Sequence, residues 1–189
     1  MKSLKAVFTC VLFSAAAFLN NAQAIGFLKE GPSNFNYNFA EIAYVDFDDN
    51  LDGVSLRFSA SFQQNYAFRA SYIRASAGSF DTDALFGAVT YHIQSSAYPQ
   101  ADWLLDAGLI AVNNDFDDEV GFSLGAGVRY GLSDALELNG NLFLQSVFDT
   151  DLVIELRALY EFASGFSGFV ETSFGDGTTL GLGLRFYWR

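Results

Sequence analysis

The chain has a single cysteine, Cys10, and a single histidine, His92, in 189 residues. Beyond residue 24 it has one lysine, Lys29, and no apolar run long enough for a membrane-spanning helix. Each shortage excludes something. One cysteine forms no disulfide framework, and one histidine without cysteine partners cannot supply a zinc site. Nucleic acid needs a basic face. Here Lys29 and seven arginines, eight cations, stand against 22 acids after residue 24, a net charge of about −14.

What is present begins with an export signal. Lys2 and Lys5 precede a largely apolar stretch from Ala6 to Leu19, and Ala22-Gln23-Ala24 offers a cleavage site. Residues 1–24 therefore read as a secretory signal peptide cleaved near Ala24. Cys10 lies inside it, without the small-residue box at the cleavage point that a lipoprotein needs. Residues 25–34 read as a periplasmic N-terminal segment, and 35–189 as one domain. An exported chain without apolar 20-mers crosses a membrane only as a closed barrel, because lipid satisfies no backbone N–H or C=O.

Period-2 alternation supports that class. It marks ten strands at about 35–46, 53–63, 66–76, 84–94, 101–112, 120–130, 135–147, 152–162, 166–174 and 179–188. The last is the clearest: Leu180, Leu182, Leu184, Phe186 and Trp188 share one face, with Gly181, Gly183, Arg185 and Tyr187 opposite. The expected fold is a transmembrane antiparallel up-and-down β-barrel of ten strands, with eight as the alternative. Strand one is ambiguous in phase, since Glu41 and the asparagines at 36 and 38 oppose each other. A soluble lipocalin-like barrel also alternates, but it fills its interior with large apolar residues, whereas the polar face here is rich in Gly and Ser.

Charge gives the barrel a direction. The odd-numbered connections hold 13 of the 22 acids, and the even ones hold only Asp134. In a meander starting in the periplasm, the odd connections lie outside the cell. Phe62, Tyr66, Tyr91, Trp103, Tyr130, Tyr160 and Trp188 fall on the outward phase at the periplasmic strand ends, where they would form an aromatic girdle. Tyr72, Phe122 and Phe174 are candidates for the outer girdle.

Phe39-Ala40-Glu41, Gly125-Ala126-Gly127-Val128-Arg129-Tyr130, Leu136-Glu137-Leu138-Asn139-Gly140 and Gly181-Leu182-Gly183-Leu184-Arg185-Phe186-Tyr187 carry a further likeness. Through them the mature chain resembles the small outer-membrane β-barrels of Gram-negative bacteria, the OmpA/OmpX/opacity-porin group. Its nearest likeness is to a porin-like subgroup with short acidic loops. The resemblance implies the cell outer membrane, assembly by the barrel-insertion machinery, and surroundings of outer-membrane lipid and lipopolysaccharide. It implies no reaction, ligand or cofactor. Such proteins finish on an aromatic, whereas Arg189 follows Trp188 here.

Interior-phase charges are Arg57, Arg69, Arg129, Arg157 and Arg185, with Asp106, Glu137, Glu155, Glu161 and Glu171. They line an ion-selective pore or, as the favoured reading, pair into a network that plugs a narrow lumen. His92 has no nearby acid in sequence, and no G-x-S-x-G elbow exists, so no catalytic residue is assigned. Asp46, Asp48, Asn50 and Asp52 space oxygens at alternate positions, and Asp115, Asp117 and Asp118 cluster similarly. They are weak divalent-cation candidates at the outer rim, since Leu51 and Arg57 stand where an EF-hand needs Gly and Glu. The expected function is a non-catalytic, monomeric barrel, structural or porin-like. The alternative is an adhesin-like surface protein using its acidic loops.

Overall fold

The computed structural model describes residues 35–48, 51–115 and 117–188. The export signal, the 25–34 segment, Asn50 and Arg189 lie outside these. Ten strands run in chain order: β1 (Phe39–Phe47), β2 (Leu51–Gln63), β3 (Tyr66–Ala77), β4 (Phe80–Gln94), β5 (Ala101–Asn114), β6 (Asp118–Gly131), β7 (Leu136–Val147), β8 (Asp149–Ala163), β9 (Phe166–Phe174) and β10 (Thr178–Tyr187). Each pairs antiparallel with its sequence neighbours, and β10 pairs with β1 to close the barrel. The architecture is the ten-stranded meander that the alternation implies.

That alternation makes a two-faced wall. On β10, Leu180, Leu182 and Leu184 are 58%, 65% and 55% exposed, while inward Arg185 is 3% exposed. On β2, Val54, Leu56 and Phe58 face out, and Ser55 and Ser59 are buried. An exposed aliphatic belt on this scale marks a surface that water does not cover, and lipid does. The interior is filled by small residues set beside large ones. A Cβ added at Gly181 would come within 2.6 Å of Glu171 Cγ, and one at Gly183 within 2.5 Å of Phe169 Cζ. Glycine at these two places admits the bulkier lumen side chains.

Strand ends differ from the expected bounds in a consistent way. At the acidic end β2, β4, β6 and β8 begin two to four residues early, at Leu51, Phe80, Asp118 and Asp149. Much of the acid therefore sits on strand ends that project beyond the belt, and the connections shrink to tight hairpins. At the other end β1 starts at Phe39; before it Asn38 still accepts Trp188 N–H at 3.2 Å, while Phe35 and Tyr37 point into the lumen. Tyr37 is buried to 4% exposure. Glu41 resolves the ambiguous phase of β1: it points inward, with Ile42 and Tyr44 outward.

A cation on the lipid face should be costly. Leu182→Arg is expected to reduce folding stability in phospholipid vesicles by about 2–4 kcal/mol, read from the urea midpoint and heat-modifiable gel migration. A change below ~0.5 kcal/mol, the size of an ordinary surface substitution, would count against a lipid-facing belt.

Candidate functional site

The chemistry of the barrel is concentrated in its lumen. Six charged side chains from β1, β2, β8, β9 and β10 meet across it. Glu41, 1% exposed at its side chain, accepts Arg185 Nε at 2.5 Å and Arg157 Nη1 at 3.2 Å, with Arg57 Nη1 at 3.6 Å. Glu171 accepts both terminal nitrogens of Arg57, at 2.7 and 3.1 Å, and Arg157 Nε at 2.7 Å. Glu155 is held less closely. It accepts Asn141 Nδ2 at 3.0 Å, while Arg157 and Arg57 stand at 3.6 and 3.8 Å.

Register places these groups. Glu41 sits directly opposite Arg185 on one neighbour and Arg57 on the other, and Arg157 sits opposite Glu171. A two-residue slip of β10 would set Gly183 or Tyr187 against Glu41 and leave buried charges unpaired. A one-residue slip would turn the Leu180–Leu184 face into the lumen. Bidentate arginine–carboxylate geometry makes the contact directional as well as strong.

Two further groups flank the lattice. Arg69 Nη2 lies 2.7 Å from Asp106, which also accepts Thr90 Oγ1 at 2.5 Å. Toward the end that carries both termini, Arg129 grips Glu137 through two nitrogens at 2.8 and 2.9 Å. Its guanidinium lies over the rings of Phe35 and Tyr37, 4.6 Å from each centroid. Tyr37 donates its hydroxyl to Asp102 at 2.9 Å and stacks on His92 at 3.7 Å. Phe35 and Tyr37 thus form a stopper at this mouth.

The lumen is accordingly partitioned. A cup of about 250 Å³ lies on the acidic side of the lattice, and a pocket of only about 40 Å³ lies between Arg157, Arg69 and Arg129. A wider vestibule bordered by Arg129, Glu137 and Glu161 opens at the termini.

Arg57, Arg69, Arg129, Arg157, Arg185, Asp106, Glu137, Glu155 and Glu171 all point into the lumen, and most join these pairs. Glu161 sits at the vestibule edge and accepts Gly165 N–H at 3.3 Å. Sequence reasoning missed Glu41, whose phase was ambiguous, and Asp102, which shares the phase of Asp106. The inward position of Arg185, the residue paired with Glu41 across the closing seam, was the available signal for Glu41. Tyr37 shares the inward phase of Phe39 and Glu41, so its signal was the same ambiguous alternation.

The aromatics gather at the termini end. Tyr66 packs on Tyr91 at 5.0 Å and Phe62 at 6.1 Å, and Trp188 stacks on Phe58 at 5.1 Å. Trp103 and Tyr160 stand more than half exposed, and Tyr130 is paired with Ala101, two residues from Trp103. Phe166 and Phe186, 5.0 Å apart, lie at the same end. Opposite, Tyr72 donates to Asp83 at 2.5 Å.

The divalent-cation candidates are not drawn together. Among the described residues no three His, Cys, Asp or Glu side chains converge as a metal site. Several rim oxygens instead serve the hairpins: Asp48 accepts Thr178 N–H at 2.6 Å, Asp115 accepts Asp81 N–H at 3.1 Å, and Asp118 accepts Asn113 Nδ2. Asp117 accepts Asp118 N–H at 2.9 Å, and Asp46 faces Asp52 across the β1–β2 hairpin.

This geometry defines a closed antiparallel barrel of the outer-membrane type, with a lipid-facing belt and a charge-filled lumen. Among solved structures the chain superposes on a KdgM porin with a TM-score of 0.53 and 9% identity, over 80% of this chain and 99% of that one. Looser superpositions include the outer membrane protein Ail of Yersinia pestis (TM-score 0.42, 11% identity, 82% and 100% covered). Neisserial surface protein A is another (0.39, 15%, 79% and 95%). The likeness is one of fold. No protein-family model matches the sequence, and no curated protein matches it closely enough to count as a relative.

Glu41→Gln preserves shape but leaves Arg185 and Arg157 facing a neutral group. It is expected to lower stability by about 3–5 kcal/mol, the cost of breaking a buried ion pair from one side. Glu161→Gln at the exposed mouth should change it by less than ~0.5 kcal/mol. Urea unfolding of vesicle-inserted protein compares the two.

Proposed function

We propose that the protein is a non-catalytic barrel of the Gram-negative outer membrane, its acidic end outward, whose lumen is closed to solutes at rest. The observation that carries this reading is the lattice centred on Glu41. Its arginines and glutamates reach across the lumen from five of the ten strands. Ten strands enclose little more space than side chains can fill, and here they fill it with paired charges. Passage of a small solute then requires the lattice to part and the Tyr37 stopper to move. Envelope structure is the role that a closed wall performs without either event.

The same geometry supports the non-catalytic reading. The ring of His92 lies flat on Tyr37, 2% exposed, and neither ring nitrogen has a hydrogen-bond partner among the described residues. A general base needs a nitrogen within reach of a substrate proton and a group that orients it. His92 offers neither. The acidic connections, reduced to hairpins, leave little surface for the broad interface of an adhesin.

Planar-bilayer recording tests the closed lumen. Wild-type protein, verified as folded by heat-modifiable migration, is expected to leave the baseline nearly unchanged. Arg157→Ala combined with Tyr37→Ala removes one crossing side chain and the stopper, and should produce discrete conductance steps. Large, steady steps from the wild type would replace this reading with an open porin.

A further inference from the structure

The acidic-side cup has a composition that closing the lumen does not require. Its walls are mainly apolar: Phe47, Ile73, Phe86 and Ile110 face a space of about 250 Å³, beside the polar Ser71, Gln145, Ser173 and Thr179. Polar packing or water would close a lumen equally well, yet these rings and branched chains line an open cavity, the kind of surface that small organic ligands desolvate. The floor is charged and unequally satisfied. Arg57, Arg69 and Arg157 each lie 2.7 Å from a carboxylate, Glu171, Asp106 and Glu171 respectively, so all three floor cations are paired. Glu155 is the floor carboxylate with the most distant cations. Its arginine neighbours stand at 3.6 and 3.8 Å, its one short partner is the neutral amide of Asn141, and its side chain is 21% exposed. Above the walls, each of the five rim hairpins carries acids on its connection or on the flanking strand ends. The one arginine among the described rim residues, Arg74, is held by Asp81 at 3.5 Å.

From these three features we propose that the cup is a binding site for small amphipathic amines, an ammonium group on a compact aromatic or aliphatic body. The acidic rim raises the local concentration of cations at the mouth. The apolar walls take the hydrocarbon, and Glu155 accepts the ammonium N–H donors on the floor, a charge-assisted hydrogen bond in a place screened from bulk water. A carboxylate ligand would have to pass the same rim and then displace Glu171 or Asp106 from its arginine. The proposal goes beyond the closed-lumen reading, because the cup exists whether or not its floor ever parts.

The test uses full-length mature protein in lipid nanodiscs, with empty nanodiscs subtracted. Three probes share one ring: 2-phenylethylamine, the neutral 2-phenylethanol and the anionic 3-phenylpropanoate. Saturation-transfer NMR titration is expected to show saturable binding of the amine, at least about tenfold tighter than the alcohol, and little binding of the acid. Glu155→Gln should remove the amine's advantage and leave the alcohol unchanged. Ala84→Trp, which fills the cup from its wall, should abolish binding of both. Both variants are checked for folding by heat-modifiable migration. Should Glu155→Gln fail to fold, the wild-type probe ranking together with Ala84→Trp decides the matter. Amine binding that survives both variants and vanishes in 0.5 M salt would be rim attraction alone and would overturn the proposal, as would no saturable binding or tighter binding of the acid. Any of these failures leaves a silent bilayer, and so the closed lumen, standing.

Discussion

Pairing of buried charge across the closing seam is the constraint on which the rest of the barrel depends. Glu41 on the first strand meets Arg185 on the last, 144 residues away, and both meet side chains from the far wall. A carboxylate and a guanidinium removed from water each carry a desolvation cost of several kcal/mol, recovered only with good geometry and several partners. The alternation of small and charged residues on the inner face supplies both. Glycines on β10 leave room for Glu171 and Phe169, and register sets Arg57, Arg157 and Arg185 each against a glutamate.

The same constraint selects one closed state among many near neighbours. Apolar belts alone tolerate sliding of a strand by two residues, because Leu replaces Leu and the outer face is unchanged. The inner face does not tolerate it, since Glu41 would lose Arg185. Lipid-facing hydrophobicity thus drives insertion, and lumen charge discriminates between registers. The two mouths are finished differently. Stacked Tyr37 and His92 stop one, while the other stays open as an apolar cup under an acidic rim.

Strand number, the outward faces of β2, β6, β8 and β10, and the segregation of acid to one end were legible in the chain because each repeats with period two or alternates with connection parity. The inward direction of Arg57, Arg129, Arg157 and Arg185 follows from the same count. What failed was local. The start of β1 lacks a clean alternation, so Glu41 went unplaced and Tyr37 was assigned to a strand that it precedes. The acidic segments read as loops because Asp and Asn disfavour strands, yet pairing continues through Phe80, Asp118 and Asp149 once their neighbours are in register. Tertiary pairing outweighs a propensity of order 1 kcal/mol.

By itself, then, the sequence determined the architecture: ten strands, two faces, one acidic end and a gathering of aromatic residues at the other. These are properties of single strands, readable because side-chain direction alternates regardless of what lies across the lumen. Only the tertiary structure decided which charge meets which, that Glu41 is their hub, that Glu155 is left with the loosest pairing, and that a cup remains above them. Those facts depend on distances between residues more than a hundred positions apart. No local period encodes such distances, and only closure of β1 on β10 creates them.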